Sequence, residues 1–276
     1  MKIGVIAPSN SIVGLENIKI FNEGIELLKS NGFEVIVGNN VFSTTEGYCG
    51  SIEEKIEDIY DVSSKAKYIM CATGGINSNN ILDSLDFNRI KNNIFIGNSN
   101  PILLFNAFYE VNKQISYIGP NVKTIGKSKS QFMIECIKDI INKNEIKSED
   151  KNIIIKKGTA EGIAYGGNIQ SLRRILGTKY FPKINNSILY IEADYKEINH
   201  TEFESIIHQL IQAEAFKSCN GIIVGKYDDI EFIKNIFKNF EIPIIMCNNL
   251  GHNVNNNMLP IGEKIRINEN GVLEII

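Results

Sequence analysis

Ser99 stands in Gly97-Asn98-Ser99-Asn100-Pro101, between the apolar run Ile94–Gly97 and the helically spaced run Ile102–Val111. A serine on a sharp strand-to-helix turn is the geometry of a nucleophile elbow. The hydroxyl is lifted above the sheet edge, and the positive end of the helix faces any oxyanion formed there. Pro101 suits the first helical turn, where no backbone N–H is needed. It also replaces the second glycine of the Gly-x-Ser-x-Gly pattern, and an ordinary N-cap serine reads the same way. Gly74-Gly75 follows another apolar run, Tyr68–Ala72. Paired glycines there either let backbone N–H groups approach a ligand or simply make a tight turn. His252 follows the strand-like run Ile242–Met246 and is a candidate base or a loop histidine bonded to nearby backbone. Glu192 ends the apolar run Ile188–Ile191 and is either an orienting carboxylate or a helix cap. His200 and His208 lie around a polar helix and read as surface residues. Ser99, Glu192 and His252 fall in the chain order nucleophile, acid, base, an order found in some hydrolases.

The elements that must position these residues alternate. Strand-like Lys2–Ala7, Phe33–Val37, Tyr68–Ala72 and Ile94–Gly97 are separated by helical patterns over Glu16–Ser30 and Ser51–Lys65. Ser51 followed by Glu54 fits a capping box. Such alternation means βαβ units and a parallel sheet. In a parallel sheet, the turns at Gly74-Gly75 and at Ser99 share the carboxyl edge, where open α/β sheets bind ligands. Asn142–Lys157 is rich in Lys, Glu, Asp and Asn without aromatics, and reads as a linker or a solvated hairpin. Beyond it, Gly162–Gly167 leads into a helix over Asn168–Leu176. Strands are expected at Ser187–Ile191, Gly221–Gly225 and Ile242–Met246, with helices at Thr201–Ala215 and Ile230–Asn239. A terminal hairpin is expected from Lys264–Ile267 and Gly271–Ile276. The expected fold class is α/β. Residues 1–145 are expected to hold the parallel sheet and residues 158–276 to form a smaller C-terminal α/β domain.

Composition narrows the function. The chain has 276 residues, of which 43% are hydrophobic and 22% charged, enough to bury a core without metal or disulfide staples. A formal net charge of -3 argues against a dedicated nucleic-acid binder. No apolar run reaches the roughly 18 residues of a spanning helix, and Met1–Pro8 stops being apolar too early for a signal peptide. Five widely spaced cysteines without a Cys-x-x-Cys pair read as free thiols in a reducing cytoplasm.

Several ordered motifs together resemble the LD-carboxypeptidase family of serine peptidases. They are Gly74-Gly75-Ile76-Asn77-Ser78-Asn79-Asn80, Leu85-Asp86-Phe87, Ile96-Gly97-Asn98-Ser99-Asn100, Gly166-Gly167-Asn168-Ile169, Leu176-Gly177-Thr178-Lys179-Tyr180, Ile188–Glu192, Gly221–Gly225, Gly251-His252 and Leu259-Pro260-Ile261-Gly262. The Gly-Gly-x-Asn-Ser-Asn wording resembles in particular the family's microcin C self-immunity branch. The resemblance implies that the domain of residues 1–145 is Rossmann-like, with Ser99 as nucleophile, Glu192 as acid and His252 as base. It implies the N–H groups of Gly75 and Asn100 as oxyanion hole, with Gly74 and Asn168 contacting substrate. It further implies a cytoplasmic homodimer without metal or other cofactor, acting on a small peptide or peptidyl-nucleotide and not on nucleic acid or membrane. The expected reaction is release of D-alanine from an LD-linked muropeptide. Alternatives are hydrolysis of a peptidyl or aminoacyl nucleotide and, in another class, a non-catalytic two-domain ligand-binding protein. Departures from the family pattern are Asn98 for an aromatic, Asn100 for Asp, and Ala193 for the second member of an acidic pair.

Overall fold

The computed structural model describes residues 1–143, 146, 152–193, 198–251 and 255–276. The first half runs β1 (Lys2–Ile6), α1 (Leu15–Ser30), β2 (Glu34–Val37), α2 (Ile52–Lys65), β3 (Tyr68–Cys71), β4 (Ile94–Gly97), α3 (Ile102–Asn112) and β5 (Ser116–Ile118). Helices α4 (Val122–Ser128) and α5 (Gln131–Lys143) follow. Strands β1, β3 and β4 are buried over nearly their whole length, as their continuous apolar runs demand of a sheet covered on both faces. They pair in parallel in the order β2-β1-β3-β4-β5. Helix α2 begins with the reciprocal capping box read from Ser51 and Glu54. The Glu54 N–H donates to Ser51 Oγ at 3.2 Å, and the Ser51 N–H donates to Glu54 Oε2 at 2.7 Å. Two short 3-10 turns, Ser78–Ile81 and Phe87–Arg89, stand where β3 crosses to β4.

The second half runs β6 (Ile153–Lys156), β7 (Ala160–Asn168), α6 (Ile169–Leu172), β8 (Ser187–Glu192), α7 (His200–Gln212), β9 (Cys219–Gly225), α8 (Ile230–Ile236) and β10 (Ile244–Cys247). It ends with β11 (Leu259–Ile261), β12 (Lys264–Ile267) and β13 (Leu273–Ile275). The second sheet has the order β13-β12-β7-β8-β9-β10-β6, with β7 to β10 parallel and the outer strands antiparallel. Two features depart from the sequence reading. Ile153–Lys156, inside the stretch read as linker, is an edge strand on β10: its side chains are only half-buried, so the charged flanks mask its pattern. The helix expected over Asn168–Leu176 is a single α turn followed by a 3-10 turn at Arg173–Ile175. One strand from the second half, β11, leaves its neighbours and pairs antiparallel with β5, covering that edge of the first sheet.

Helix α3 joins the two halves. Residues 102–108 of α3 are all buried, so it has no polar face and behaves as a core helix. One apolar cluster contains Phe95, Ile102, Phe105 and Phe108 together with Tyr165, Ile169, Leu172 and Leu189 of the second half. Inside this contact the Asn106 side chain makes two bonds to the Gly166 backbone. The Gly166 N–H donates to Asn106 Oδ1 at 2.9 Å, and Asn106 Nδ2 donates to the Gly166 carbonyl at 2.8 Å. The helix that follows the Ser99 turn is thereby pinned to β7, and the Ser99 turn is held against the second sheet. All five cysteines are buried and free. Among the described residues, no helix is long and apolar enough to cross a membrane.

Candidate active site

The loops after β1, β3 and β4 meet at the carboxyl edge of the first sheet, beside the point where strand order reverses between β1 and β3. Ser99 lies on the β4–α3 turn with φ +68, in the left-handed region that non-glycine residues seldom occupy. The capping position of α3 is Pro101, and no side chain caps this helix. Ser99 is therefore not acting as an N-cap, and its hydroxyl is left for other work. A Cβ on Gly74 would stand 2.7 Å from Ser99 Cβ and 2.9 Å from its Oγ, so only glycine lets the β3 turn lie this close to the serine. Asn10, in the loop after β1, shapes the same turn: its N–H donates to the Gly74 carbonyl at 3.3 Å, and its Oδ1 accepts the Ile76 N–H at 3.1 Å.

Asn100 is fully buried and joins four segments. Its Oδ1 accepts from Ser9 Oγ at 3.0 Å and from the Ser78 N–H at 2.9 Å, while its carbonyl accepts from Ser78 Oγ at 3.1 Å. Its Nδ2 donates to Ser171 Oγ of the second half at 3.4 Å. Among the described residues, no acceptor faces the backbone N–H of Gly75 or of Asn100. Gly75 follows Gly74, which lies against Ser99, and Asn100 follows Ser99 in the same turn.

Glu192 ends β8 with 2% of its surface exposed and sits opposite Asn168 in the β7–β8 register. It is not the cap of the following helix, because Asn199 caps α7 by accepting the Glu202 N–H at 2.9 Å. Asn168 is itself a cap, its Oδ1 accepting the Ser171 N–H at 3.0 Å and starting α6. Tyr190, two residues before Glu192 on the same strand, is fully buried. Burial pushes its phenol well above the usual range, and the neighbouring Glu192 charge and Cys247 add to the shift. His252 lies outside the described residues. Gly251, which precedes it, adopts φ +112, and a Cβ there would stand 3.4 Å from Glu192 Oε2. The Gly251 carbonyl accepts a bond from Asn98 Nδ2 at 3.2 Å. The residue before His252 is therefore bonded to the residue before Ser99 and packed on Glu192. His200 stacks on Phe232 at 3.9 Å and is half-exposed, and His208 is exposed beside Glu204. Among the described residues, no group of His, Cys, Asp and Glu gathers in a way that could hold a metal ion.

Sequence reasoning missed Asn10, Asn98 and Asn121 as builders of the site. Asn121, in the loop after β5, accepts the Asn98 N–H at 3.0 Å and donates to the Asn98 carbonyl at 3.3 Å. The available signal was an asparagine just beyond several apolar runs, since short amides bond to backbone at such turns.

Comparisons with known proteins agree with this architecture. Residues 3–119 match the model of the LD-carboxypeptidase N-terminal domain, and residues 161–267 match that of the LD-carboxypeptidase C-terminal domain. A Treponema pallidum protein provisionally named a carboxypeptidase is 28% identical, over 97% of this chain and 89% of its own length. The microcin C7 self-immunity protein MccF of Escherichia coli is 24% identical, over 90% of this chain and 85% of its own. The crystal structure of an MccF-like protein from Bacillus anthracis superimposes with a TM-score of 0.87 at 25% identity, covering 99% of this chain and 95% of the other. With both domain models matched in order along most of its length, the chain belongs to the LD-carboxypeptidase family.

Proposed function

We propose that the protein is a serine carboxypeptidase that uses Ser99, Glu192 and His252 to cleave an amide next to a terminal carboxylate-bearing group. The observation that carries this reading is Ser99 at φ +68, free of any capping role and flanked by the available N–H groups of Gly75 and Asn100. His252 takes the proton from Ser99 Oγ as the oxygen attacks the substrate carbonyl. The Gly75 and Asn100 N–H groups hold the negative charge that builds on the carbonyl oxygen. The same histidine returns the proton to the departing amine, and a water then repeats the sequence on the acyl-serine. Glu192, buried at the end of β8, fixes the imidazole tautomer and stabilises the imidazolium. Gly74 and the Asn168 side chain contact the substrate. Nucleophile and oxyanion donors come from the domain of residues 1–145, acid and base from that of residues 158–276.

The substrate class that fits the family is an LD-linked muropeptide, with D-alanine as the leaving group. Likeness to the microcin C7 self-immunity protein supports a second reading, hydrolysis of a peptidyl or aminoacyl nucleotide. Five buried free thiols suit a reducing cytoplasm, where both substrates would be met, and we assign the protein there as a homodimer. The deciding experiment measures turnover of an LD-linked tetrapeptide and of an aminoacyl nucleotide by the parent and by Ser99→Ala. Expected is D-alanine release by the parent, with only oxyanion-hole residual activity in the variant. A parent that binds either ligand but turns it over no faster than Ser99→Ala is a binding protein, and the hydrolase assignment fails.

A further inference from the structure

We infer that Asn98 is a positioning residue, fastening the loop that bears His252 to the nucleophile turn. This rests on the Ser99 hydrolase reading above. Asn98 has 4% of its surface exposed, and Asn121 holds its backbone from both sides. Its side chain spends the amide nitrogen on the Gly251 carbonyl, 153 residues away in sequence. That partner can only accept, so the nitrogen must face it. The orientation leaves Asn98 Oδ1 buried with no hydrogen-bond partner among the described residues. An acceptor stranded in this way weakens the fold, and an apolar side chain of similar size would avoid the cost. What the amide supplies in return is the bond to Gly251.

Gly251 is the meeting point of this arrangement. A Cβ built on it would stand 3.4 Å from Glu192 Oε2, and its carbonyl is held by the neighbour of Ser99. The flanking loop is also anchored to its own half, where the Lys226 N–H donates to the Leu250 carbonyl at 3.0 Å and the Asn257 N–H to the Asn249 carbonyl at 2.7 Å. The first bond ties the loop to the end of β9, and the second closes the loop on itself. The Asn98 bond sets the register of Gly251 against the nucleophile turn, and His252 is the next residue in the chain. An aromatic residue, expected at this position from the family pattern, has no amide to make the same bond.

Asn98→Leu keeps the volume without a donor, Asn98→Asp keeps the shape but turns an acceptor toward the Gly251 carbonyl, and Asn98→Ala removes the amide without adding bulk. Each is compared with the parent for kcat and KM on an LD-linked tetrapeptide. Each is also compared for the rate at which a fluorophosphonate labels Ser99, a step in which Oγ displaces fluoride and the base takes the proton, and for melting temperature. A base displaced by about 1 Å is expected to lower kcat and labelling rate together by roughly 10²-fold while KM stays near the parent value. Unchanged kcat and labelling in any folded variant overturn the assignment. A loss confined to melting temperature does the same, as does failure of all three to fold, since Asn98 then serves the fold alone. Ser99→Ala separates this from failure of the hydrolase reading. If Ser99→Ala still turns over substrate or still reacts with the reagent, the nucleophile is wrong and the Asn98 role falls with it. If it is silent while the Asn98 variants match the parent, only the positioning role fails.

Discussion

Gly74→Ala tests whether the closeness of the β3 turn to Ser99 sets the catalytic rate. Gly74 does not have a positive φ, so alanine fits its backbone and the perturbation is purely one of space. The new methyl would lie 2.7 Å from Ser99 Cβ and 2.9 Å from Oγ. Carbon atoms in ordinary contact keep about 3.5–4.0 Å, so the serine side chain must retreat by roughly 1 Å. Displacing a reacting group by that much costs about 10²-fold in rate, or about 2.7 kcal/mol of activation free energy. Ser99 itself is partly exposed but its neighbours Asn98 and Asn100 are buried, so the stability loss should fall within the ~1–3 kcal/mol usual for overpacking. The assay is steady-state D-alanine release from an LD-linked tetrapeptide, with urea unfolding in parallel. Expected is a fall in kcat with KM nearly unchanged. A kcat within twofold of the parent would refute the reasoning, and a rise in KM alone would return Gly74 to a purely substrate-contacting role.

Ser99→Gly should be more stable than Ser99→Ala, although both lack the proposed nucleophile. The left-handed φ of +68 costs a non-glycine residue about 1–2 kcal/mol, of which glycine's freedom in the unfolded chain returns about 0.5–1 kcal/mol. Urea midpoints give the difference, and an alanine variant as stable as the glycine one would show the turn to be unstrained. Asn106→Leu strands the N–H and carbonyl of Gly166 at the contact between α3 and β7, and at about 1–3 kcal/mol per group should destabilise by roughly 2–6 kcal/mol in denaturant unfolding. In the α2 capping box, the bond from the Ser51 N–H, followed by those from Thr45 and Ser43, holds the Glu54 carboxyl below its ordinary value of 4.5. Its stabilising contribution is therefore complete above that pH and lost as pH falls through the lower folded value. The stability advantage of the parent over Glu54→Gln should accordingly shrink below about pH 4.5, and a gap that widens there would contradict the sign.

Much of the first sheet was legible because its strands are continuous apolar runs closed by punctuation. Ile94–Gly97 before Asn98-Ser99-Asn100-Pro101 and Tyr68–Cys71 before Thr73-Gly74-Gly75 leave little freedom in how the chain is divided. The capping box at Ser51 and Glu54 was legible for the same local reason. Strands β5 and β11 were not. Each has three residues, β11 contains Pro260, and both exist because of the partner across the sheet edge. The left-handed turn at Ser99 could be anticipated from the glycines and proline around it. The bond from Asn98 to Gly251 could not, since nothing local marks which distant carbonyl an amide will meet. Asn168 could be read as a substrate contact from its motif, but its capping of α6 emerged only with the helix boundary.

The pairing of β11 with β5 also bears on how the protein comes into being. Ile118 finds its sheet partner in Leu259, so the first sheet has an unfinished border throughout most of translation. Contacts so distant along the chain form late, because loop closure must precede them. A ribosome that has already released β1 to β5 still carries a sheet with an open edge, liable to pair with a neighbouring chain. The residues that close it, 259–261, follow His252 by only a few positions. His252, the proposed base, and the strand that seals the border therefore leave the ribosome almost together. A truncated or nascent chain that ends before them would carry Ser99 and an open sheet edge without either.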